Sequence, residues 1–375
     1  MNLETIDTPS LVIELSKMQR NIDRMKAKAH ALGVTLRPHL KTSKCWEVAR
    51  RQMLTPLGPA TVSTLKEAEE FAAHGVKDMI YAVGIAPQKL PRVHALLRQG
   101  VDLKIILDNV AAAHAVTTYC QENNVAIKVL IEIDCDGHRS GLKPDDKTIL
   151  EVARAIEAPA LLAGVITHAG GSYDVDTPEL LLERSNGERE GICAAAKMLR
   201  EAGFGIPIVS VGSTPTAISA QDWTGVTELR AGVYVFFDLF QTGVGVCSTD
   251  DIAMSLLVTV IGHQKEKGWI ITDGGWMALS RDRGTANQKC DQGYGLVCDI
   301  NGQLIDDLWV CGANQEHGII AARNNKTVNI EEFPVGMRLR ILPNHACPTA
   351  AQHPRYFIVD NSIEVIDTWS RFYGW

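Results

Sequence analysis

Eight short apolar segments along the first 235 residues constrain the fold of this chain more than any other feature. Each is rich in Val and Ile, and most stretches between them have the apolar spacing of helices, which is typical of repeated βα units. The predicted strands are Gly33–Pro38, Ala60–Thr64, Asp78–Val83, Asp102–Leu107, Ala126–Asp134, Ala160–His168, Pro207–Gly212 and Val226–Ala231. Because eight parallel strands build a (β/α)8 barrel, the sequence predicts an α/β fold of the TIM-barrel type.

Helix boundary signals support this interpretation. The stretch Lys17–Leu32 carries apolar side chains at helical spacing, and Gly33 follows it as a predicted helix stop. Thr64 precedes a run that contains Glu67, which is the pattern of a hydroxyl cap followed by an acid in the first turn. We therefore expect a helix on either side of the second predicted strand.

The pattern changes after about residue 250, where strand-like runs follow one another without helices. The predicted strands there are Met254–Ile261, Trp269–Thr272, Leu304–Gly312, Met337–Leu342, Tyr356–Val359 and Ile363–Thr368. We predict a barrel domain over residues 16–250 and a C-terminal β domain over residues 251–375. Residues 1–15 are expected to add an N-terminal strand to the β domain.

Composition narrows the class of protein. The chain has 375 residues, a formal charge of -7 and no long basic run, so nucleic acid is not an expected partner. Its nine cysteines form no CxxC pair, which favours a reducing compartment over a disulfide framework. No uninterrupted apolar stretch reaches the ~18 residues of a membrane span. We expect a cytoplasmic protein without a membrane partner.

A cluster of basic side chains follows the first predicted strand. Residues 37–44 read RPHLKTSK, and the active sites of barrels lie at the C-terminal ends of the strands. A lysine at this place can form a Schiff base with a carbonyl cofactor or substrate, and Lys41 is the candidate. A solvated basic loop is the simpler interpretation of this segment taken alone.

Arg139 is a second candidate at the same end of the barrel. It lies in the sequence DCDGHRSG that follows the fifth predicted strand. Its planar guanidinium suits a carboxylate or a phenolate oxygen, although Asp134 and Asp136 could simply neutralise it.

Two glycine turns follow the last two predicted strands of the barrel. Barrels often bind a phosphate at this position through backbone amides. The turn residues are Gly212, Ser213, Thr214, Gly232 and Val233. Since glycine turns also occur without a ligand, both interpretations stay open from the residues alone.

PNHACPT at residues 343–349 places His345 and Cys347 two positions apart. On a strand, residues i and i+2 point to the same face, so both could bind Zn²⁺. Two protein ligands are fewer than usual, and a buried thiol beside a capping histidine fits the same residues. A second polar cluster, GANQEHG at 312–318, could supply a ligand, a substrate contact or only a turn.

Taken together, these motifs resemble the fold-type III pyridoxal-phosphate enzymes, which have an alanine racemase-like barrel with an attached β domain. The likeness extends over nearly the whole chain and is strongest to the branch of D-serine dehydratases and D-threonine aldolases. It rests on RPHLKTSK, EIDCDGHRSG, VSVGSTPTA, ELRAGVYVFFD and PNHACPT. STLKEAEEF, THAGGSYDVDTPE, SRDRGTA and GANQEHG further resemble the bacterial D-threo-3-hydroxyaspartate dehydratases.

The resemblance implies a role for each matching residue. It makes Lys41 the lysine that binds pyridoxal 5'-phosphate, and it places Arg139 beside the phenolic oxygen of the cofactor. We further expect Lys41, once the substrate has freed its amine, to take the α-proton. It assigns the two glycine turns to the phosphate and places Tyr173 close to the cofactor. Arg230 occupies the position at which racemases hold an arginine against the pyridine nitrogen, although this branch does not always keep it.

The resemblance also implies a divalent metal at His345 and Cys347. The aldolases have His-x-Asp at this point and the dehydratases have His-x-Cys, so this chain is expected to be a dehydratase. A thiolate is softer than a carboxylate and suits Zn²⁺, whereas a carboxylate site suits Mn²⁺ or Mg²⁺ better. Bacterial relatives accept several divalent ions, so Mn²⁺, Mg²⁺ and Co²⁺ stay as alternatives to Zn²⁺. The expected reaction converts D-threo-3-hydroxyaspartate or D-serine into a 2-oxo acid and ammonia. Arg281, Arg283 and Lys289 are unranked candidates for binding a β-carboxylate.

Two alternatives to dehydration remain from the sequence. A retro-aldol cleavage of the D-threonine aldolase type would yield glycine and an aldehyde from the same site. A non-catalytic pyridoxal-phosphate-binding protein would have a single barrel, and the residues after Asp251 count against it. The resemblance further implies a homodimer.

Overall fold

The structure is a computed structural model that describes residues 1–324, 326 and 328–375. It contains two compact units. The sheet unit comprises Met1–Ile22 and Val233–Arg371, and the barrel unit comprises Asp23–Gly232 and Phe372–Trp375. Residues 233–250, which the sequence analysis places in the barrel domain, thus fall in the sheet unit. The domain borders at 15/16 and 250/251 stay a prediction.

A set of parallel strands follows the first strand and helix, β1 (Ser10–Glu14) and α1 (Leu15–Ala31). These strands are β2 (Thr35–Leu36), β3 (Ala60–Val62), β4 (Asp78–Gly84), β5 (Asp102–Leu107), β6 (Lys128–Ile133), β7 (Leu161–Thr167), β8 (Ile208–Val211) and β9 (Glu228–Leu229). They lie in the order β2-β9-β8-β7-β6-β5-β4-β3. A parallel bridge between His39 and Thr61 joins the two ends of this sheet. The predicted eight-stranded barrel is confirmed.

Local signals mark the ends of some helices of the barrel unit. After α1 they are α2 (Trp46–Gln52), α3 (Leu65–Ala73), α4 (Leu90–Arg98), α5 (Val110–Asn123), α6 (Thr148–Ala155), α7 (Pro178–Glu201) and α8 (Thr214–Ser219). Gly33 follows α1 with a φ of +69°, a conformation that favours glycine. Thr64 caps α3 by accepting a 3.0 Å hydrogen bond from the Glu67 N–H. The Glu67 carboxylate accepts a bond from Ser63 N–H in return.

Apolar side chains from neighbouring barrel strands pack together. One buried cluster takes one residue from each of β4, β5, β6 and β7, and its members are Ile80, Ile106, Leu130 and Ile166. Side chains alternate between the two faces of a strand, so these four residues point to the same side of their sheet. The strands are thereby held in the register that brings their carboxyl ends to one rim.

The sheet unit has one nine-stranded sheet. Besides β1 it contains β10 (Met254–Gln264), β11 (Trp269–Thr272), β12 (Gly295–Cys298), β13 (Leu304–Ala313), β14 (Gly318–Ala322), β15 (Arg338–Pro343), β16 (Arg355–Val359) and β17 (Asp367–Ser370). Its helices are α9 (Leu239–Val244), α10 (Trp276–Leu279) and α11 (Ala346–Ala350). β1 pairs antiparallel with β10 and parallel with β16, so it lies inside the sheet. β12 and β14 are absent from the sequence prediction.

Two general properties follow from the described residues. None of the described helices combines the length and apolar character that a membrane crossing requires. All nine cysteines are free thiols.

Candidate active site

Lys41 lies in a tight turn that follows β2. The turn is fixed at both ends, because Leu40 N–H donates to the Thr61 carbonyl at 2.9 Å and Lys44 N–H donates back to the Leu40 carbonyl at 3.0 Å. Lys44 adopts a left-handed φ of +43°, which is uncommon for a residue with a side chain. Lys41 itself is exposed. The backbone is thus constrained while the amine stays accessible.

The basic neighbours of Lys41 in sequence are engaged in ion pairs. Arg37 is buried and pairs with Glu228 at 2.8 Å and with Asp78 at 2.7 Å. Lys44 pairs with the buried Glu67 at 3.2 Å. The interpretation of residues 37–44 as a solvated basic loop therefore does not hold for Arg37 and Lys44, and these two cations serve the packing of the barrel.

Cations from other barrel strands converge near Lys41 instead. Burial, followed by the charges of Lys41 and Arg230, lowers the pKa of His39 well below its usual value, and Arg139 adds to this effect. Burial and the charge of Lys41 lower the pKa of His168 to about 3. Both imidazoles are therefore neutral at physiological pH. The structure brings three cations together around two neutral rings, an arrangement that suits an anionic ligand.

Arg230 is anchored by neutral groups of the barrel. Its Nε donates to Ser210 Oγ at 2.8 Å, and its Nη2 donates to the Thr167 carbonyl. Burial lowers the pKa of the guanidinium to about 10, while the charges of Glu228 and Glu188 partly oppose this effect. Arg230 therefore stays charged at neutral pH in a fixed orientation.

The two glycines of the predicted phosphate loops are needed for close packing. A Cβ on Gly212 would lie 1.6 Å from the Arg230 carbonyl oxygen, and its φ is +154°. A Cβ on Gly232 would lie 2.9 Å from the His39 carbonyl oxygen. The Gly212 N–H already donates to the buried carboxylate of Glu188 at 2.8 Å. The absence of a side chain at Gly212 thus allows the turn after β8 to pack against the backbone of Arg230.

Hydroxyl groups follow Gly212 at the start of α8. Ser213 caps this helix by accepting a 3.2 Å bond from Thr216 N–H, and its Oγ also lies 2.9 Å from Ser172 Oγ. Thr214 Oγ1 and His39 Nδ1 are buried and have no hydrogen-bond partner among the described residues. Buried polar atoms without a partner are rare in folded proteins, so these two fit a bound polar group such as a phosphate or a pyridine ring.

The remaining predicted cofactor residues lie in short turns. Tyr173 ends a 3-10 turn over Gly170–Tyr173, and its ring centroid is 6.0 Å from that of His168. Val233 begins the 3-10 turn Val233–Val235 directly after Gly232. Tyr173 is thus brought to the same imidazole that Lys41 and Arg139 approach.

His345 and Cys347 do not lie on a strand, which corrects the sequence prediction. β15 ends at Pro343, His345 occupies the N-cap position of α11, and Cys347 lies in its first turn. Their side chains are hydrogen-bonded to each other. His345 and Cys347 thus come together through the geometry of a helix start. They do not lie on the same face of a strand.

Two carboxylates hold the histidine and its segment. His345 Nδ1 lies 2.7 Å from Asp282 Oδ2, which leaves Nε2 as the ring nitrogen for another ligand. Asp238 caps α9 by accepting from Gln241 N–H at 2.9 Å and also accepts from Ala346 N–H at 2.7 Å. The backbone between His345 and Cys347 is therefore tied to a second helix.

These contacts shift the pKa values in opposite directions. Burial lowers the pKa of His345, but the bonds to Asp282 and Cys347 and the charge of Asp238 outweigh it, so the pKa lies well above the usual value. The bond to His345 lowers the pKa of Asp282. Burial raises the pKa of Asp238. The pair of Asp282 and His345 is thus stabilised as an ion pair.

The donor set of this pair fits a soft divalent metal. Among the described residues, no group of three or more His, Cys, Asp or Glu side chains is arranged to hold a metal ion. His345 and Cys347 nevertheless offer one nitrogen and one sulfur, which are the donors that Zn²⁺ prefers. A carboxylate on the other nitrogen of a metal-binding histidine is the usual supporting contact, and Asp282 supplies it.

Several residues of the site were not predicted. His168 lies directly after β7, so the rule for barrel strand ends could have identified it. Asp282 lies in SRDRGTA, far from His345 in sequence, and no spacing rule connects the two. Glu188 and Asp238 lie in or next to helices and offered no signal.

Comparisons with known proteins agree with this architecture. Residues 13–239 match the family described as alanine racemase, N-terminal domain, and residues 253–359 match a putative serine dehydratase domain. The chain is 53% identical over 379 residues to the D-threo-3-hydroxyaspartate dehydratase of Delftia sp. (strain HT23), covering 100% of this chain and 99% of the relative. It is 27% identical over 395 residues to the D-serine dehydratase of Dictyostelium discoideum, with 100% and 98% covered.

The Delftia enzyme has also been solved. Its structure superposes with a TM-score of 0.97 at 53% identity and covers 100% of both chains. A D-threo-3-hydroxyaspartate dehydratase variant in which one cysteine is replaced by alanine, solved in a metal-free form, superposes with a TM-score of 0.98 at 52% identity and covers 100% of both chains.

Proposed function

Because the chain belongs to the alanine racemase-like family of pyridoxal-phosphate enzymes, in the branch with a serine dehydratase domain, we propose that it is a lyase that eliminates water from a D-3-hydroxy amino acid. The observation that carries this proposal is the pair of His345 and Cys347 with Asp282 on the far side of the imidazole. By the resemblance described above, a cysteine at the second position favours a dehydratase over an aldolase.

Pyridoxal phosphate would be held in the barrel unit by the residues around His39 and His168. Lys41 would bind it covalently, Arg139 and Arg230 would supply positive charge, and Tyr173 would lie beside it. The residues proposed to surround the phosphate are Gly212, Ser213, Thr214, Gly232 and Val233. When bound, the cofactor supplies an electron sink for negative charge at the α-carbon of the substrate.

A divalent metal would be held by His345 and Cys347, and Zn²⁺ fits the nitrogen and sulfur donors better than Mn²⁺, Mg²⁺ or Co²⁺. Such a metal supplies a Lewis acid that makes hydroxide a better leaving group. Support comes from two solved variants of a D-threo-3-hydroxyaspartate dehydratase, in which a histidine and a cysteine two positions apart are replaced by alanine, the cysteine variant being in a metal-free form. His345 and Cys347 have the same spacing.

The chain's own residues would move the proton. The Lys41 amine, free once the substrate occupies the site, takes the proton from the α-carbon. His39 and His168 stay neutral because burial and the neighbouring cations lower their pKa values, so they do not compete as acids. Asp282 keeps His345 in one orientation. The hydroxyl leaves the β-carbon as water.

The overall reaction balances with one water lost and one regained. Elimination removes water across the α- and β-carbons, and hydrolysis then releases ammonia. D-serine would yield pyruvate and ammonia, and D-threo-3-hydroxyaspartate would yield oxaloacetate and ammonia.

The first experiment is an absorbance spectrum of the purified protein, followed by product analysis. We expect a band near ~420 nm, typical of a lysine-bound cofactor. D-serine and DL-threo-3-hydroxyaspartate should then release ammonia and a 2-oxo acid, and a chelator should stop the release. Lys41→Ala should lose both the band and the activity. Glycine and an aldehyde as products would contradict dehydration, and a band with no product would indicate a binding protein.

The role of the thiolate is tested by Cys347→Asp. If the ligand type selects the reaction, this variant should lose part of its preference for Zn²⁺ over Mn²⁺ and lose dehydration. Cys290→Asp is the matched control, because Cys290 is an exposed thiol outside the site. Unchanged metal-dependent dehydration in Cys347→Asp would contradict the proposal that the thiolate selects dehydration.

We also propose that the protein acts as a cytoplasmic homodimer on a small D-amino acid. The free thiols of all nine cysteines support a reducing compartment, and the fold type supports a dimer. Light scattering on the eluted protein tests this, and a mass near 41 kDa would show a monomer instead.

A further inference from the structure

The loop after α10 is built around the carboxylate that holds His345. Asp282 N–H donates to Ser280 Oγ at 3.0 Å, and Gly284 N–H donates to Asp282 Oδ1 at 3.1 Å, while Oδ2 contacts His345. Ser280 has a φ of +79°, an unfavourable conformation for a residue with a side chain. Such backbone strain is concentrated at functional sites, where surrounding contacts maintain it.

Backbone hydrogen bonds hold α10, the helix that precedes this loop, in place. Trp276 N–H donates to the Asn314 carbonyl at 2.8 Å, and Met277 N–H donates to the Gln315 carbonyl at 3.0 Å. A Cβ on Gly275 would lie 2.3 Å from Gln315 O, so only glycine permits this approach. The polar cluster at 312–318 therefore positions α10, which carries Trp276.

Arg281 packs against Trp276 of α10, and its charge is unpaired among the described residues. Its guanidinium carbon is 5.2 Å from the centre of the Trp276 ring, the residue is exposed, and it enters no ion pair with the residues that the structure describes. An arginine held against an aromatic ring keeps its planar edge available for a two-point contact with a carboxylate.

The other two cations of this region are already engaged. Arg283 pairs with Asp291 at 2.5 Å and also lies 5.4 Å from the ring centre of Tyr294. Lys289 has an interaction partner as well. The structure thus ranks the three basic residues that the sequence left equal, and Arg281 is the one with its charge available.

An acidic substrate would be bound more tightly by a site with a cation close to its β-carboxylate. In 3-hydroxyaspartate, the hydroxyl group and the β-carboxylate are attached to the same carbon, so a site that holds the hydroxyl beside His345 brings the carboxylate next to it. Asp282 touches His345, and Arg281 is its neighbour in the chain. We propose that Arg281 binds the β-carboxylate and sets the preference for 3-hydroxyaspartate over D-serine. This inference rests on the proposed dehydratase function.

The test compares Arg281→Gln and Arg281→Lys with the unchanged holoenzyme on both substrates. Arg281→Gln should raise KM for D-threo-3-hydroxyaspartate about 10- to 100-fold, the loss expected for a charged hydrogen-bonded contact. Its kcat/KM for D-serine should change less than about threefold, because D-serine has no β-carboxylate. Arg281→Lys keeps the positive charge but cannot donate two parallel hydrogen bonds to a carboxylate. Its KM for D-threo-3-hydroxyaspartate should lie between those of the unchanged enzyme and Arg281→Gln.

Arg283→Gln is the matched control, since it removes a cation that already has a partner. It should affect both substrates equally. A second readout does not need turnover: D-aspartate and D-alanine lack the β-hydroxyl, and their binding can be followed by the thermal shift of the holoenzyme. Arg281→Gln should weaken D-aspartate selectively.

The outcomes separate the two proposals. An equal loss for both substrates in Arg281→Gln, or an unchanged KM for 3-hydroxyaspartate, would overturn the role of Arg281. A holoenzyme that turns over neither substrate would overturn the proposed function, and the selective loss of D-aspartate binding would still support Arg281 as the carboxylate contact.

Discussion

Replacing Asp282 with asparagine tests whether His345 is a metal ligand whose second ring nitrogen, Nδ1, is held by the Asp282 carboxylate. Loss of such a supporting carboxylate usually weakens metal binding about 10- to 100-fold. The side chain of Asp282 is 41% exposed, so solvent screens part of its charge, and asparagine keeps an oxygen that can accept from Nδ1. We therefore expect a loss near the lower end, about tenfold, which corresponds to about 1.4 kcal/mol of binding free energy.

The pH dependence of this loss has a definite sign. Asp282 raises the pKa of His345, so below that pKa protons compete with the metal for the ring. Asparagine lowers the pKa and weakens the competition. The tenfold loss should therefore be largest at pH 8.5 and smaller at pH 6.5.

The assay is a chelator-competition titration of Zn²⁺ at both pH values, with Asp306→Asn as the control. Asp306 is an exposed carboxylate on β13 and should have no effect. An unchanged affinity of Asp282→Asn at pH 8.5 would refute the reasoning, as would an equal loss in Asp306→Asn.

Three other predictions concern the barrel unit. Gly212→Ala places a Cβ 1.6 Å from the Arg230 carbonyl oxygen, so we expect at least about 3 kcal/mol of destabilisation in urea unfolding and loss of the cofactor band; a stable variant with the band would contradict the packing. His168 has a folded pKa of about 3, below its unfolded value of 6.5, so the unfolded chain binds more protons between these values and stability falls as the pH drops through them. His168→Asn should remove up to about 1.4 kcal/mol per pH unit from that slope, and an identical slope between pH 6.5 and 4.5 would refute this. Thr64→Ala removes the bond from Glu67 N–H and should lower the urea midpoint by an amount equal to about 1 kcal/mol, whereas Ser63→Ala should not.

The barrel could be predicted from sequence because its strands are short, apolar and buried on both faces. The predicted strand over Asp102–Leu107 has the observed bounds, and the strand predicted over Gly33–Pro38 was longer than β2. After β2, Arg37 N–H and His39 N–H still donate to the carbonyls of Leu229 and Ala231 at 2.8 Å, and Leu40 N–H then donates to the Thr61 carbonyl on the other side. The ladder therefore ends at Leu40, where the chain turns away. Local patterns thus located the elements, and tertiary contacts set their ends.

The sheet unit was predicted less completely. β12 and β14 are short and contain or follow glycine, and each pairs with β13, where the register shifts. Ile363–Thr368 was predicted as a strand, whereas β17 begins at Asp367. Such strands are defined by their partners rather than by their own alternation of side chains.

The candidate site was predictable where the chemistry is local. Lys41 and the pair of His345 and Cys347 were proposed as site residues from short motifs, and these roles stay predictions. The contact of Asp282 with His345 spans 63 positions and depends on the loop after Ser280, which no periodicity reports. The pairing of Arg37 with Glu228 is likewise long-range and changed the interpretation of a basic segment.

The place of β1 within its sheet has a consequence for synthesis of the chain. Leu11 pairs with Leu256 on one side and with Tyr356 on the other, so a strand made among the first residues finds its partners only after most of the chain has left the ribosome. At about 5–20 residues per second, β1 waits some tens of seconds with both hydrogen-bonding edges open. During that time the barrel strands, β2 to β9, can already pair with one another. Nascent chains stalled before residue 355 should therefore recruit chaperones that bind extended apolar segments.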